Sequence, residues 1–349
     1  MSKRILTVTV NPAVDVTELL VGADAQKGSA FRPSSPLANE RRKTPTSASG
    51  GTSEPISPGL RMRCSTNFVL SAGGKGVNVA RVLRALRVSV LAAGVAGGDT
   101  GEFFQKLLRK EKIPAEFLNV RGATRLNVTV LGPRPGGCTR AIGEGPRLTP
   151  AEIRQFETRY RRWLRQSRFV ILCGRNAVGA PVNWYARLVR LAQQEDVPAA
   201  VDTSGAALCA ALQARPFLIK PNLQEAQTIV RHRLNSSTQI KKAVRYFHGR
   251  GIRVVLLSLG ERGAVVSDGR NIWHARPPAV RAINDLGCGD ALLAGFIQAY
   301  CAGRKSLPEA LRQAVACGTA NALNSTPGLI RPSDVLRLKK GTVVKRLGE

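Results

Sequence analysis

Short, continuously apolar runs separated by helix-length segments restrict this chain to very few architectures. Val88 to Ala92, Phe169 to Cys173, Ala199 to Asp202, Phe217 to Lys220 and Val254 to Leu257 are each four or five residues long, and most of their side chains are apolar. A strand without polar alternation is buried on both faces, so it belongs in a mostly parallel sheet covered by helices on either side. Segments of helical period lie between these runs, the mark of βαβ units and an α/β fold. The run from Ile5 to Val10, rich in β-branched residues, reads as the first strand. In such sheets ligands bind beyond the carboxyl ends of the strands, which is where the site is sought.

Two regions break the rhythm. Residues 23–65 are rich in Ser, Pro, Gly, Arg and Thr, with ASGGTSEPISPG at 48–59. Such a segment cannot bury enough apolar surface to offset its ordering entropy, and it reads as a disordered insertion. Residues 120–142 alternate and are punctuated by turn residues, as in a β-hairpin. With 14–22 and 64–71 they are expected to form a small sheet apart from the main layer.

Composition excludes several functions. Seven cysteines are scattered with no Cys-x-x-Cys pair, and three histidines lie far apart, so neither a disulfide framework nor a zinc site is indicated. The basic, apolar start ends after a few residues at Asn11-Pro12, too short for a signal sequence, and no stretch reaches the ~20 apolar residues of a membrane span. Reduced thiols and a cytoplasmic location follow as expectations. A formal charge of +30 favours an anionic partner, whether nucleic acid, lipid or a phosphorylated small molecule. The basic residues are spread over helix faces such as Arg154 to Arg168 rather than gathered in one tail, which disfavours nucleic acid.

The string AGGKGVNVARVLRAL at 72–86 sets Gly73 and Gly74 before a helix with Val79, Val82, Leu83 and Leu86 on one stripe. Glycines allow close approach of a ligand, and the helix start offers unpaired N–H groups. Lys75 and Asn78 add a cation and an amide to the same rim. A plain turn explains the glycines equally well. The segment is neither a Walker A loop nor a dinucleotide fingerprint.

The string INDLGCGDALLAGFIQAY at 283–300 places Gly287 and Gly289 around a helix start with Asp290 in the first turn. Leu293, Phe296, Ile297 and Tyr300 form an apolar stripe that anchors this helix. Asp290 reads either as a cap that complements the helix dipole or as a base beside an anion hole of backbone amides. Phosphoryl transfer needs that second pairing.

Together and in this order, the two segments resemble the signature motifs of the PfkB (ribokinase-like) carbohydrate kinases. The resemblance extends over nearly the whole chain outside 23–65 and includes NPAVD at 11–15, KPNLQE at 220–225, SLGERG at 258–263 and ANALNSTPG at 320–328. It implies one three-layer α/β/α domain with a small β lid over 1–349, and an ATP-dependent kinase with Mg²⁺ as cofactor. Asp290 would be the catalytic base, and Gly287, Cys288 and Gly289 the anion hole. Asp15, Gly73, Gly74 and Asn78 would bind sugar hydroxyls. Asn222 and Glu225 would help hold Mg²⁺ through water; Ser258, Gly260, Gly263 and Asn321 would line the nucleotide site.

Within the family the chain looks most like the branch of 1-phosphofructokinases and tagatose-6-phosphate kinases, through TRLNV at 124–128. Arg125, with Asn127 beside it and Lys75 in support, would then clasp a substrate phosphate, since a guanidinium matches phosphate in a bidentate fashion. The implied partners are ATP and a ketohexose phosphate, with a homodimer through the lid. A kinase of a free sugar or nucleoside, or a basic nucleic-acid-binding protein on this fold, are the rival readings.

Three departures stand out. Arg175, a candidate substrate-binding residue, occupies a position where these kinases carry a phosphate-contacting serine, and either strengthens phosphate binding or crowds the pocket. Asp285 and Cys288 replace commoner Pro or Thr and Ala or Ser, changes that a hole built from main-chain amides should tolerate. The insertion at 23–65 interrupts the lid.

Overall fold

The computed structural model describes residues 3–19, 68–131 and 138–348. The insertion expected at 23–65, and part of the hairpin expected at 120–142, lie outside the described residues.

The main sheet has ten strands. Strand β1 (Arg4–Thr9) is the third strand from one edge, between β4 (Val90–Ala96) and β8 (Ser167–Cys173), and is parallel to both. The parallel run continues through β9 (Ala199–Asp202), β10 (Leu218–Ile219) and β11 (Val254–Ser258), with β5 (Ala115–Asn119) on the opposite side. All five strands read from the sequence are present. The fourth is two residues long, although the Lys220 amide just beyond it still donates to the Val201 carbonyl at 3.1 Å. Three antiparallel strands, β12 (Ala264–Ser267), β13 (Ile272–Arg276) and β14 (Val343–Arg346), extend one edge and were not anticipated.

Side-chain alternation along the strands divides the interior into two layers. Ile5, Phe169 and Ile171 point to one face, where α1 (Lys75–Ala85), α2 (Gly98–Lys110), α8 (Cys288–Ile297), α9 (Leu307–Ala322) and α10 (Pro332–Gly341) pack. Leu6, Val170 and Leu172 point to the other, against α3 (Pro150–Arg165), α4 (Trp184–Gln194) and α5 (Gly205–Leu212). Helices α6 (Leu223–Val230) and α7 (Ser237–His248) complete that second layer around Phe247. Burying Phe156, Trp163 and Trp184 in edge-to-face contact contributes about 2–3 kcal/mol each.

A separate four-stranded sheet is ordered β3 (Phe68–Gly73), β2 (Ala13–Leu19), β6 (Arg125–Leu131), β7 (Cys138–Ile142). The small sheet expected apart from the main layer is therefore present among the described residues, with β6 and β7 antiparallel. Glycine at 73 ends β3, and Gly74 (φ 109°) turns the chain straight into α1. The two sheets thus meet at the carboxyl ends of the parallel strands.

Candidate active site

Helix α8 begins at Cys288, capped by Gly287 in the left-handed region (φ 78°). Among the described residues the amides of Gly289 and Asp290 have no acceptor in the protein, while that of Cys288 makes one long contact, 3.4 Å, to the Asp285 carbonyl. These N–H groups and the positive end of the helix dipole form a cradle for an anion. No side chain caps this helix. Asp290 instead turns to the α1 side, where its Oδ2 accepts from Asn78 Nδ2 at 2.8 Å. Only 5% of the residue is exposed.

Around that carboxylate lies a charge cluster in which Asp202 and Lys220 are buried and Lys75 is half-buried. Lys75 Nζ donates to Asp202 Oδ1 at 2.9 Å, and Lys220 Nζ lies 3.2 Å from Asp202 Oδ2. Burial, reinforced by the neighbouring Asp202 charge, pushes Asp290 up to about 6 against the pull of Lys75, Asn78 and Lys220. Asp202 is equally buried, yet Lys220 and Lys75 hold it below the usual carboxylate range. For Lys75, burial opposes the charge, but Asp202, Asp290 and Glu225 outweigh it and raise its pKa. The two aspartates therefore diverge: one is a fixed counter-ion, the other a carboxylate able to exchange a proton near neutral pH.

Lys220 also reaches the cradle, since a Cβ on Gly289 would stand 3.2 Å from its Nζ. Asp202 and Lys220 close the carboxyl ends of β9 and β10, and sequence reading gave neither a role. The available signal was a charged residue ending an apolar run. Lys75, placed from sequence beside the substrate phosphate, is paired in this cluster with Asp202.

On the small sheet, Asp15 and Asn127 are paired across β2 and β6, and Asn127 Nδ2 donates to Asp15 Oδ1 at 2.8 Å. Burial raises the Asp15 pKa despite that bond and the Arg125 charge. A Cβ at Gly73 would fall 2.0 Å from Asp15 Oδ2, so the glycine makes room for this carboxylate. Arg125 departs from expectation. Its guanidinium donates to the carbonyls of Pro12 (3.4 Å), Gly143 (3.0 Å) and Asn11 (3.1 Å), so it straps β6 to the turn after β1. Burial, with the nearby Arg175 charge, lowers its pKa. Arg175 itself is exposed after β8, with no partner among the described residues.

The remaining expected residues divide into rim and support. Asn222 and Glu225 form a reciprocal capping box at α6, with Glu225 N to Asn222 Oδ1 at 2.8 Å and Asn222 N to Glu225 Oε2 at 2.9 Å. Glu225 keeps its second oxygen. Ser258 ends β11 and bridges to Asn222, and Gly260 (φ 64°) faces open space beside it. At Gly263 a Cβ would meet the Ala275 carbonyl at 1.9 Å, so the glycine permits the close packing of β13. Asn321, expected near the nucleotide base, is fully buried. Its Nδ2 donates to the Leu286 carbonyl at 2.7 Å and its Oδ1 accepts from Gly328 N at 2.6 Å, which fixes the loop before the cradle.

A proton-accepting carboxylate beside a cradle of free amides, flanked by two lysines, can deprotonate a hydroxyl while stabilising a transferring phosphoryl group. The model of the pfkB family carbohydrate kinases matches residues 56–333, across both glycine segments. This chain belongs to the pfkB family of carbohydrate kinases. The family transfers phosphoryl groups to alcohol acceptors, with ATP as the phosphate donor. A 1-phosphofructokinase of Bacillus subtilis is 31% identical over 73% of this chain and 83% of its own length. Among solved structures, phosphofructokinase-2 from Escherichia coli in complex with fructose-6-phosphate shares 27% identity over 97% of this chain and 99% of that one, with a TM-score of 0.80. The tetrameric inhibited form of that enzyme gives the same identity, coverage and TM-score. The fold is thus the ribokinase-like one expected.

Proposed function

We propose that this pfkB kinase transfers the γ-phosphoryl group of ATP to the C6 hydroxyl of fructose-1-phosphate, giving fructose 1,6-bisphosphate. The observation that carries the reading is the Asp290 carboxylate, poised near neutrality next to the unpartnered amides of Gly289 and Asp290. Asp290 takes the hydroxyl proton as the sugar oxygen bonds to the γ-phosphorus. The bond to the β–γ bridging oxygen breaks, and ADP leaves. The amides of residues 288–290, with Lys220 beside them, receive the charge on the equatorial oxygens. Asp15 and Asn127 orient the sugar from the small sheet, and Ser258 and Gly260 form the floor under the nucleotide.

The B. subtilis relative favours fructose-1-phosphate, and the exposed guanidinium of Arg175 supplies charge for a substrate phosphate. Magnesium fits the donor set: Glu225 has a free carboxylate oxygen at the rim, and Mg²⁺ is held by one or two carboxylates together with substrate phosphates rather than by a protein cage. When bound it would neutralise charge on the triphosphate. The small sheet exposes Phe68, Val69 and Leu70 on β3, Leu126 and Val128 on β6 and Ile142 on β7, which supports pairing with a second copy through the lid. A cytoplasmic location belongs to the same reading.

A coupled ADP-release assay over fructose-1-phosphate, fructose-6-phosphate, tagatose-6-phosphate, fructose and ribose tests the assignment. Fructose-1-phosphate should give the highest kcat/KM, and preference for an unphosphorylated sugar would overturn it.

A further inference from the structure

The loop that leads into the anion cradle carries a carboxylate of the wrong sign. Asp285 stands two residues before Gly287, and its carbonyl accepts the Cys288 amide. Its side chain is 83% exposed, and its field reaches the Cys288 thiol, where with burial it helps push the pKa up to about 11. A negative charge on this loop opposes the phosphates that the cradle must admit.

The structure supplies a counter-charge from elsewhere in the chain. Arg140 lies on β7, the edge strand of the small sheet, and its guanidinium donates to Asp285 Oδ1 at 2.7 Å. This ion pair joins the small sheet to the loop before α8. We infer that Arg140 is a positioning residue for phosphoryl transfer: seated on Asp285, it neutralises the carboxylate beside the anion cradle and so makes nucleotide engagement depend on the small sheet being docked. The inference rests on reading residues 287–290 as the phosphoryl-transfer cradle.

A plain strap and a charge neutraliser make opposite predictions for the acidic partner. If the pair only ties two segments together, removing either member does the same harm. If Arg140 cancels a repulsive charge, removing Asp285 removes the repulsion as well. Steady-state kinetics with ATP as the varied substrate, at low and high salt, separates the two. Arg140→Gln should lower kcat/KM for ATP about threefold to tenfold at low ionic strength and progressively less as salt is raised, as screening of exposed charges requires. Asp285→Asn should not lower it, Arg140→Gln with Asp285→Asn should recover most of the loss, and Arg140→Lys should resemble the parent.

Equal losses in both single variants and in the double variant would overturn the proposal, as would an Arg140→Gln enzyme indistinguishable from the parent. Both residues are at the surface, and matched melting temperatures will verify that the variants are folded. Failure of the cradle reading itself is distinguishable, because it would appear as ordinary turnover in Asp290→Asn.

Discussion

Replacing Asp290 by Asn should destroy catalysis and at the same time stabilise the protein. In the folded chain burial holds this carboxyl at about 6, whereas in the unfolded chain it titrates at about 3.9. The folded state therefore binds the proton more tightly, and the native protein loses stability as pH rises from about 4 through 6. At about 1.4 kcal/mol per pKa unit, the ionised group costs about 3 kcal/mol at pH 8. Asparagine has nearly the same shape, can accept from Asn78 through its own amide oxygen, and carries no charge to desolvate. Urea denaturation at pH 8 should show the variant more stable by about 3 kcal/mol, with a gain of roughly half that at pH 5 and almost none near pH 3. Turnover should fall by about 10²- to 10⁴-fold, the usual contribution of a general base. A variant that is less stable at pH 8, or whose gain does not shrink on acidification, would refute the assignment of a strained carboxylate at this position.

Other outcomes follow from the same geometry. The kcat profile should fall as pH drops through about 6, because Asp290 must be ionised to accept a proton, and a flat profile between pH 5 and 8 would exclude it as the base. Gly73→Ala should raise KM for the sugar at least tenfold, because its methyl group would occupy the space of the Asp15 carboxylate; calorimetric titration with the acceptor sugar checks this. Gly263→Ala should destabilise the fold by about 2 kcal/mol or more, since the new Cβ meets a carbonyl at positive φ, yet leave nucleotide affinity unchanged in the surviving enzyme. Thermal melting with nucleotide titration separates those two effects.

The proposed base was legible in the sequence because Gly287 and Gly289, just ahead of Asp290, announce a helix start open to a ligand. Its alternative role as a cap fails because the carboxylate bonds to Asn78 rather than to an amide of its own helix. Asp202 and Lys220 were not legible: a charged residue closing an apolar strand looks like an ordinary terminator until three strand ends converge. For Arg125 the local strand pattern carried no information about the carbonyls of Asn11, Pro12 and Gly143, which reach it only through the fold of the small sheet. The antiparallel edge escaped notice because β12 to β14 are four or five residues long and, in β13, mix Trp273 and His274 with charged neighbours.

Arg81 has consequences well beyond its own helix. Buried in α1, its guanidinium reaches Asn78 Oδ1, the carbonyls of Ala72 and Pro327, and the carboxylate of Glu111. One rigid planar group thus sets the relative registration of the amide that touches Asp290, the end of strand β3 and the turn at residue 327. Attempts to redesign acceptor preference have room at the outlying strands of the small sheet, whereas changes at this hub would shift reacting groups and scaffold together.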